Sequence, residues 1–235
     1  MAKVKKKSGF FFNLFIGLVL TAGVGLLAYP TIANLHNERY ASKAIAGYEE
    51  TISNLNNEDF ERMRSEAEIY NEWLKGQKTR FAPSEEDLAY YNSVLDVTGT
   101  GIMAYVEIPK IHVSLPIYHG TEETTLAVAV GHLEGTSLPI GGVGNHVAMS
   151  GHTGLPSAKL FNDLVKLEIG DTFFIKVLDE TLTYQIDQIE IVLPDDFSLL
   201  GLDEEKDLCT LITCTPYGVN SHRLMVRGQR VETIN

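Results

Sequence analysis

The sequence predicts a mostly β protein: an eight-stranded closed or nearly closed β-barrel, preceded by an N-terminal helical region and a transmembrane helix. Three observations predict it. From Ile102 onward, short runs of β-branched and aromatic residues alternate with Gly, Pro and Asn, as strands alternate with turns. Between residues 34 and 76, apolar residues recur every three to four positions, the period of an amphipathic helix. Ahead of both, the 20 residues 10–29 contain no charge.

Residues 1–9 form a basic N-terminus with Lys3, Lys5, Lys6 and Lys7. The uncharged run that follows, extended to residues 10–33, predicts a transmembrane signal anchor. As a helix its first 20 residues, none of them charged, span ~30 Å, about the thickness of a bilayer's hydrocarbon. Basic residues ahead of a span hold that end in the cytoplasm, so a single-pass membrane protein with its catalytic domain outside is expected. A cleaved signal peptide is the competitor, because small residues follow in "TIANLHNE", but the run exceeds the ~7–15 residues of a signal core. Residues 34–76 predict a helical stalk or helices packed on the domain, with Asn56, Asn57 and Glu58 able to cap a second helix. Residues 77–101 contain Pro83 and "VTGTG" and predict a surface linker.

Residues 102–235 supply the barrel. Its eight segments are "IMAYVEIPKI", "VSLPIYHG", "TLAVAVGHLEG", "NHVAMSGHTG", "DTFFIKVL", "LTYQIDQIEIVLP", "LCTLITCTP" and "RLMVRGQRV". A helical turn or two is expected within residues 157–166. With 44% apolar residues in a chain of 235, one sizeable core is affordable.

Charge restricts the function. The net charge is −12, and the first 35 residues hold four lysines and no acid, so removing those four positive charges leaves −16 on the remainder. A surface this acidic is a poor partner for nucleic acid, whose phosphates require Lys and Arg. The chain ends in "RGQRVETIN", with neither a second apolar span nor a cell-wall sorting signal.

The two cysteines, Cys209 and Cys214, share the strand-like "DLCTLITCTP". Five residues along a strand separate α-carbons by ~16 Å and turn the side chains to opposite faces. A disulfide needs α-carbons within about 7 Å, so two free thiols are expected. One packs as a small apolar residue. Cys214, at the strand's end where side chains reach solvent, is the candidate nucleophile.

A thiolate is usually held by a histidine nearby in space. Of the seven histidines, His152 stands in "SGHTG", where flanking glycines allow close backbone approach. Arg223 cannot deprotonate, so beside a thiolate it would stabilise negative charge or hold a substrate carbonyl. His222 alternates with Arg223, so only one of the two can face Cys214. No Cys-x-x-Cys pair and no His-Glu-x-x-His helix occurs, and neither metal nor cofactor is expected.

These residues resemble a known family. "TLITCTPYGVNSHRLMVRG" is similar to the Thr-Leu-x-Thr-Cys signature of the class C, pilus-assembling sortases of Gram-positive bacteria. "GHLEGTSLPIGG", "SGHTGLPSAKLFNDL" and "YVEIPKI" resemble core segments of the same family. The resemblance covers residues 102–231 and implies a sortase-type eight-stranded barrel. It also implies a cysteine transpeptidase that cleaves a Leu-Pro-x-Thr-Gly-like sorting motif between Thr and Gly. Cys214 would be the nucleophile forming a thioester, His152 the general acid and base, and Arg223 the oxyanion or motif-positioning residue. The implied partners are pilin subunits bearing the motif and an acceptor lysine.

Two departures from the family pattern stand out. The relatives' lid, with its Asp-Pro-aromatic triplet, has no counterpart in "KTRFAPSEEDLAYYNSVLD", so a member without a lid is expected, with Phe81 or Tyr90 as the alternative plug. The C-terminal membrane span of many members is also missing. A sortase that anchors surface proteins to cell-wall peptide differs only in acceptor. A hydrolytic cysteine protease and a non-catalytic surface binding module are the more distant readings.

Overall fold

The computed structural model describes residues 8–232; the basic segment 3–7 and residues 233–235 lie outside them. Helix α1, Ser8–Ser53, runs unbroken through the apolar span and on into the first packing helix. It is long and apolar enough to cross a membrane, and its apolar side chains in the span are exposed, Leu27 by 83%. Helix α2, Asn57–Lys75, begins in a capping box: the Asn56 side chain accepts from the Asp59 amide at 3.1 Å, and Asp59 answers from the Asn56 amide at 3.3 Å. Cap and helix therefore fall where the sequence places them.

Neither helix stands free as a stalk. Tyr48 of α1 donates to the Met103 carbonyl at 3.2 Å and accepts from the Leu178 amide at 2.8 Å. Asn71 of α2 pairs both ways with the backbone of Leu138, at 3.2 and 2.7 Å. The segment expected as a surface linker holds a third helix, α3, Glu85–Ser93, capped by Ser84 and Asp87. Its Tyr91 is buried, bonded to His132 Nδ1 at 2.8 Å and to the Gly120 amide at 3.1 Å. That burial depends on the barrel, which is why local composition alone reads as a loop.

Each of the eight strand-like segments contains one strand: β1 Ile102–Ile108, β2 Val113–His119, β3 Val130–His132, β4 His146–Ser150, β5 Thr172–Val177, β6 Glu180–Val192, β7 Leu208–Thr215 and β8 His222–Val231. They close into a barrel in the order β1-β2-β3-β4-β7-β8-β6-β5. The β2–β3 and β4–β7 pairs are parallel and the rest antiparallel. A short helix α4, Glu123–Leu126, lies in the β2–β3 crossover. The helical turn expected within 157–166 is only a 3₁₀ turn, Leu164–Lys166. Inward residues such as Val147, Met149, Phe173, Ile175, Leu211 and Val226 fill the core, following the period of two that a one-sided strand requires.

Candidate functional site

The site grows from the C-terminal end of β7. Cys209 and Leu211 face the barrel interior and are fully buried, whereas Ile212 and Cys214 have the opposite parity and face outward. Both cysteines are free; Cys209 is buried and Cys214 partly exposed. Burial, with the Asp207 carboxylate adding to it, pushes the Cys209 thiol well above its ordinary range.

On one side of β7, Cys214 is the register partner of Arg223 in β8. Directly opposed residues on neighbouring strands project to the same face, with Cβ atoms about 5 Å apart. Arg223 is partly exposed, and its Nη1 donates only to the carbonyls of His222 at 3.2 Å and Asn220 at 3.4 Å. Among the described residues, no carboxylate lies within ion-pair distance of it. His222 pairs with Thr215 instead, on the opposite face, and bonds Ser221 at 2.9 Å.

On the other side, β4 runs parallel to β7, with Ser150 abreast of Ile212. The pairing continues past the strand: the Gly151 amide donates to the Ile212 carbonyl at 3.0 Å, and Thr213 Oγ1 donates to the Gly151 carbonyl at 2.7 Å. Extending that register by two residues sets His152 abreast of Cys214. A side chain at Gly151 would collide with the Phe161 ring, 2.7 Å from an added Cβ, so the glycine before His152 lets Phe161 seal the barrel beneath it. The Phe161 amide then holds the His152 carbonyl at 3.1 Å.

Three residues far apart in sequence thus meet at one end of the barrel, on the outer face of adjacent strands. The His152 ring is partly buried. Its Nε2 has no hydrogen-bond partner among the described residues, and a Glu123 carboxylate oxygen lies 3.5 Å away. A thiol, an imidazole nitrogen without a hydrogen bond and a guanidinium without a carboxylate partner among the described residues, in one row, can take up a peptide carbonyl, exchange a proton and hold an oxyanion.

Sequence reasoning missed two supports. Asn162 Oδ1 clamps the loop after His152, accepting from Thr153 Oγ1 at 3.0 Å and the Gly154 amide at 2.7 Å. The second is the surface leading to Cys214, an apolar floor of Ala148, Leu200, Ile212 and Met225 packed with Phe81, Leu133, Val192 and Leu199.

Cys214 stays partly exposed, and the linker segment reaches that floor. The segment 79–83 lies on it: Phe81 stacks on Phe197 with centroids 4.8 Å apart, and Arg80 Nη2 donates to the Leu200 carbonyl at 2.6 Å. Phe81, one of the two residues considered as a plug, belongs to the floor, whereas Tyr90 packs on Tyr70 and Trp73 instead.

Comparison with known proteins agrees with this architecture. A model of the sortase domain matches residues 106–231. Sortase D of Bacillus subtilis (strain 168) is 33% identical over 129 residues, 54% of this chain and 62% of that protein, so the match spans less than two thirds of that relative. The crystal structure of sortase C1 from Streptococcus agalactiae is similar at a TM-score of 0.79 and 46% identity, covering 82% of this chain and 100% of that one. A structure described as the pilus-related sortase C of Group B Streptococcus gives a TM-score of 0.70 at 38% identity, over 80% of this chain and 97% of that one.

Proposed function

Because the chain belongs to the sortase family, we propose that it is a membrane-anchored cysteine transpeptidase that joins pilin subunits. The observation that carries this is the row His152–Cys214–Arg223, set by the registers of β4, β7 and β8. Cys214 attacks the carbonyl of the Thr–Gly bond in a Leu-Pro-x-Thr-Gly-like motif, and Arg223 stabilises the oxyanion that forms. As the tetrahedral adduct collapses, the C–N bond breaks, His152 protonates the departing glycine amine, and a thioester remains on Cys214. A lysine side-chain amine of another pilin then attacks the thioester, His152 takes its proton, and the thiol is released as an isopeptide bond forms. Helix α1 holds the enzyme in the membrane, with the barrel on its outer side. The likeness to sortase C structures, one of them described as pilus-related, favours a lysine over a cell-wall amine as acceptor.

Mass spectrometry of the full chain in detergent, mixed with a Leu-Pro-x-Thr-Gly peptide, tests this. The expected result is an acyl adduct on Cys214 that moves to a pilin lysine peptide on its addition. Transfer to a cell-wall peptide amine but not to lysine would make it an anchoring sortase, and release to water alone would make it a protease. No adduct on a thiol that still reacts with a small alkylating reagent would sink the transpeptidase.

A further inference from the structure

Helix α1 gives the barrel a direction relative to the bilayer, provided that its apolar half is a membrane anchor as read above. Asn34, the first residue beyond the span, accepts a hydrogen bond from the Lys159 amide at 2.9 Å. Lys159 lies in the β4–β5 connection, two residues before Phe161, whose amide holds the His152 carbonyl. Further along the same helix, Tyr48 bonds the backbone of Met103 and Leu178. Those residues sit where β1 begins and β5 ends, at the opposite end of the barrel from Cys214. So α1 descends the barrel wall starting from the Cys214 end. Its span, about 36 Å of helix for residues 10–33, projects away beyond that end. The helix stays continuous through Pro30, and no linker intervenes between span and barrel.

The surface of that end is unusually apolar. Outside α1, nine large apolar side chains are exposed among the described residues, and six of them lie here. Ile191 and Leu193 flank Val192, the register partner of Arg223, at the end of β6. Tyr217 and Val219 stand in the β7–β8 connection, 68% and 70% exposed. Val165 and Ile169 extend the set into the β4–β5 connection. Of the remaining three, Phe197 stacks on Phe81 with one face, and Ile69 and Val143 lie elsewhere. Lys110 is paired with Glu168 and Asp171, and Lys166 with Asp163, which leaves Lys159 and Arg223 as the cations of this end without a carboxylate partner among the described residues. Such a rim suits insertion into an interface rather than attraction to anionic headgroups.

We infer that this rim docks on the lipid surface from which α1 emerges, so that Cys214 works at the membrane and receives peptide from the membrane side. The tether makes contact between rim and lipid intramolecular, so modest apolar area suffices. The rim is then a second membrane-binding element beside the anchor, and it selects substrates that are themselves held close to the bilayer.

The test is depth-dependent quenching on the full chain in phosphatidylcholine nanodiscs. An environment-sensitive fluorophore is placed in turn at Val219→Cys, Leu193→Cys, Val143→Cys and Leu20→Cys, each in a Cys214→Ser background, where the buried Cys209 stays silent. Expected are strong quenching of the Leu20 label by deep doxyl lipid, and severalfold greater quenching of the 219 and 193 labels than of the 143 label by shallow doxyl lipid, unchanged at high salt. A quenched Leu20 label with 219 and 193 no more quenched than 143 overturns the docking and leaves the anchor standing. An unquenched Leu20 label removes the anchor and the docking with it. Shielding of the 219 and 193 labels only when a sorting-motif peptide is added would make the rim a peptide site and overturn the lipid assignment. None of these readouts depends on turnover.

Discussion

The two ends of β7 hold the same residue in opposite circumstances. At the N-terminal end, Cys209 is sealed in the core beside Asp207, whose carboxylate accepts from Tyr184 at 3.0 Å and from the Gly142 amide at 2.8 Å. At the C-terminal end, Cys214 is half-exposed, Arg223 opposite it lacks a carboxylate partner among the described residues, and His152 keeps a nitrogen without a hydrogen bond. Polar atoms without partners occur at both ends, Asn145 Oδ1 and Arg230 Nη1 near Cys209 and His152 Nε2 near Cys214, so what sets the C-terminal end apart is that its unfilled capacity lies beside a thiol open to solvent. Thiol chemistry is decided by surroundings, not by residue type.

Substitution at the two cysteines is the strongest way to break this comparison. Cys214→Ala is expected to lower kcat/KM for acyl transfer by at least about 10⁴-fold with the fold intact. Cys209→Ala is expected to leave turnover within about twofold while costing about 1 kcal/mol of stability. Peptide-transfer kinetics and urea denaturation of both variants check this. Comparable activity losses in the two would mean that the ends are not chemically distinct.

The histidines sharpen it. His132, bonded to Tyr91 and to the Ser137 carbonyl, is held down to about 4 by burial, and His146, between the Gly201 carbonyl and Thr210 Oγ1, is likewise held to about 4 by burial. Both folded values lie below the unfolded value of about 6.5, so the unfolded chain takes up protons first as pH falls. The stability they contribute is complete above about pH 6.5 and is lost towards pH 4, by on the order of 3 kcal/mol for each histidine. Carboxylates held low, such as Asp171, add their share only at still lower pH. Urea midpoints of the full chain in detergent should therefore fall between about pH 7.5 and about pH 4.5, and His146→Asn should flatten the slope by about half. A midpoint that does not move would show that these two sites are open to water.

Sequence alone exposed the barrel because each strand is a local run bounded by turn residues, and Cys214 because its strand ends at Pro216. What it could not expose depends on contacts between distant segments. His132 and His152 both follow a glycine; only the partners brought by α3 and by the loop after β3 separate the one from the other. Helix α3 carried its capping signal, Ser84 with Asp87, within a stretch whose proline and acids outweighed it. Phe81 reads as a loop residue until Phe197, from the β6–β7 connection, stacks against it.

The smallest effect concerns Glu123, a charge that approaches His152 from outside the row. Cys214 faces it from β7 and Arg223 lies beyond on β8, while Glu123 reaches it from α4 at 3.5 Å. A carboxylate there can orient the imidazole, so Glu123 would be a positioning residue. Its side chain is 84% exposed, and solvent screens such a pair heavily. Glu123→Gln is therefore expected to reduce kcat/KM only about two- to threefold at low ionic strength, with the deficit closing at high salt. A loss of tenfold or more that persists in salt would mean that Glu123 touches the substrate and belongs to the reactive end. No loss even at low salt would mean that water alone balances His152, leaving the row of three to act without help from α4.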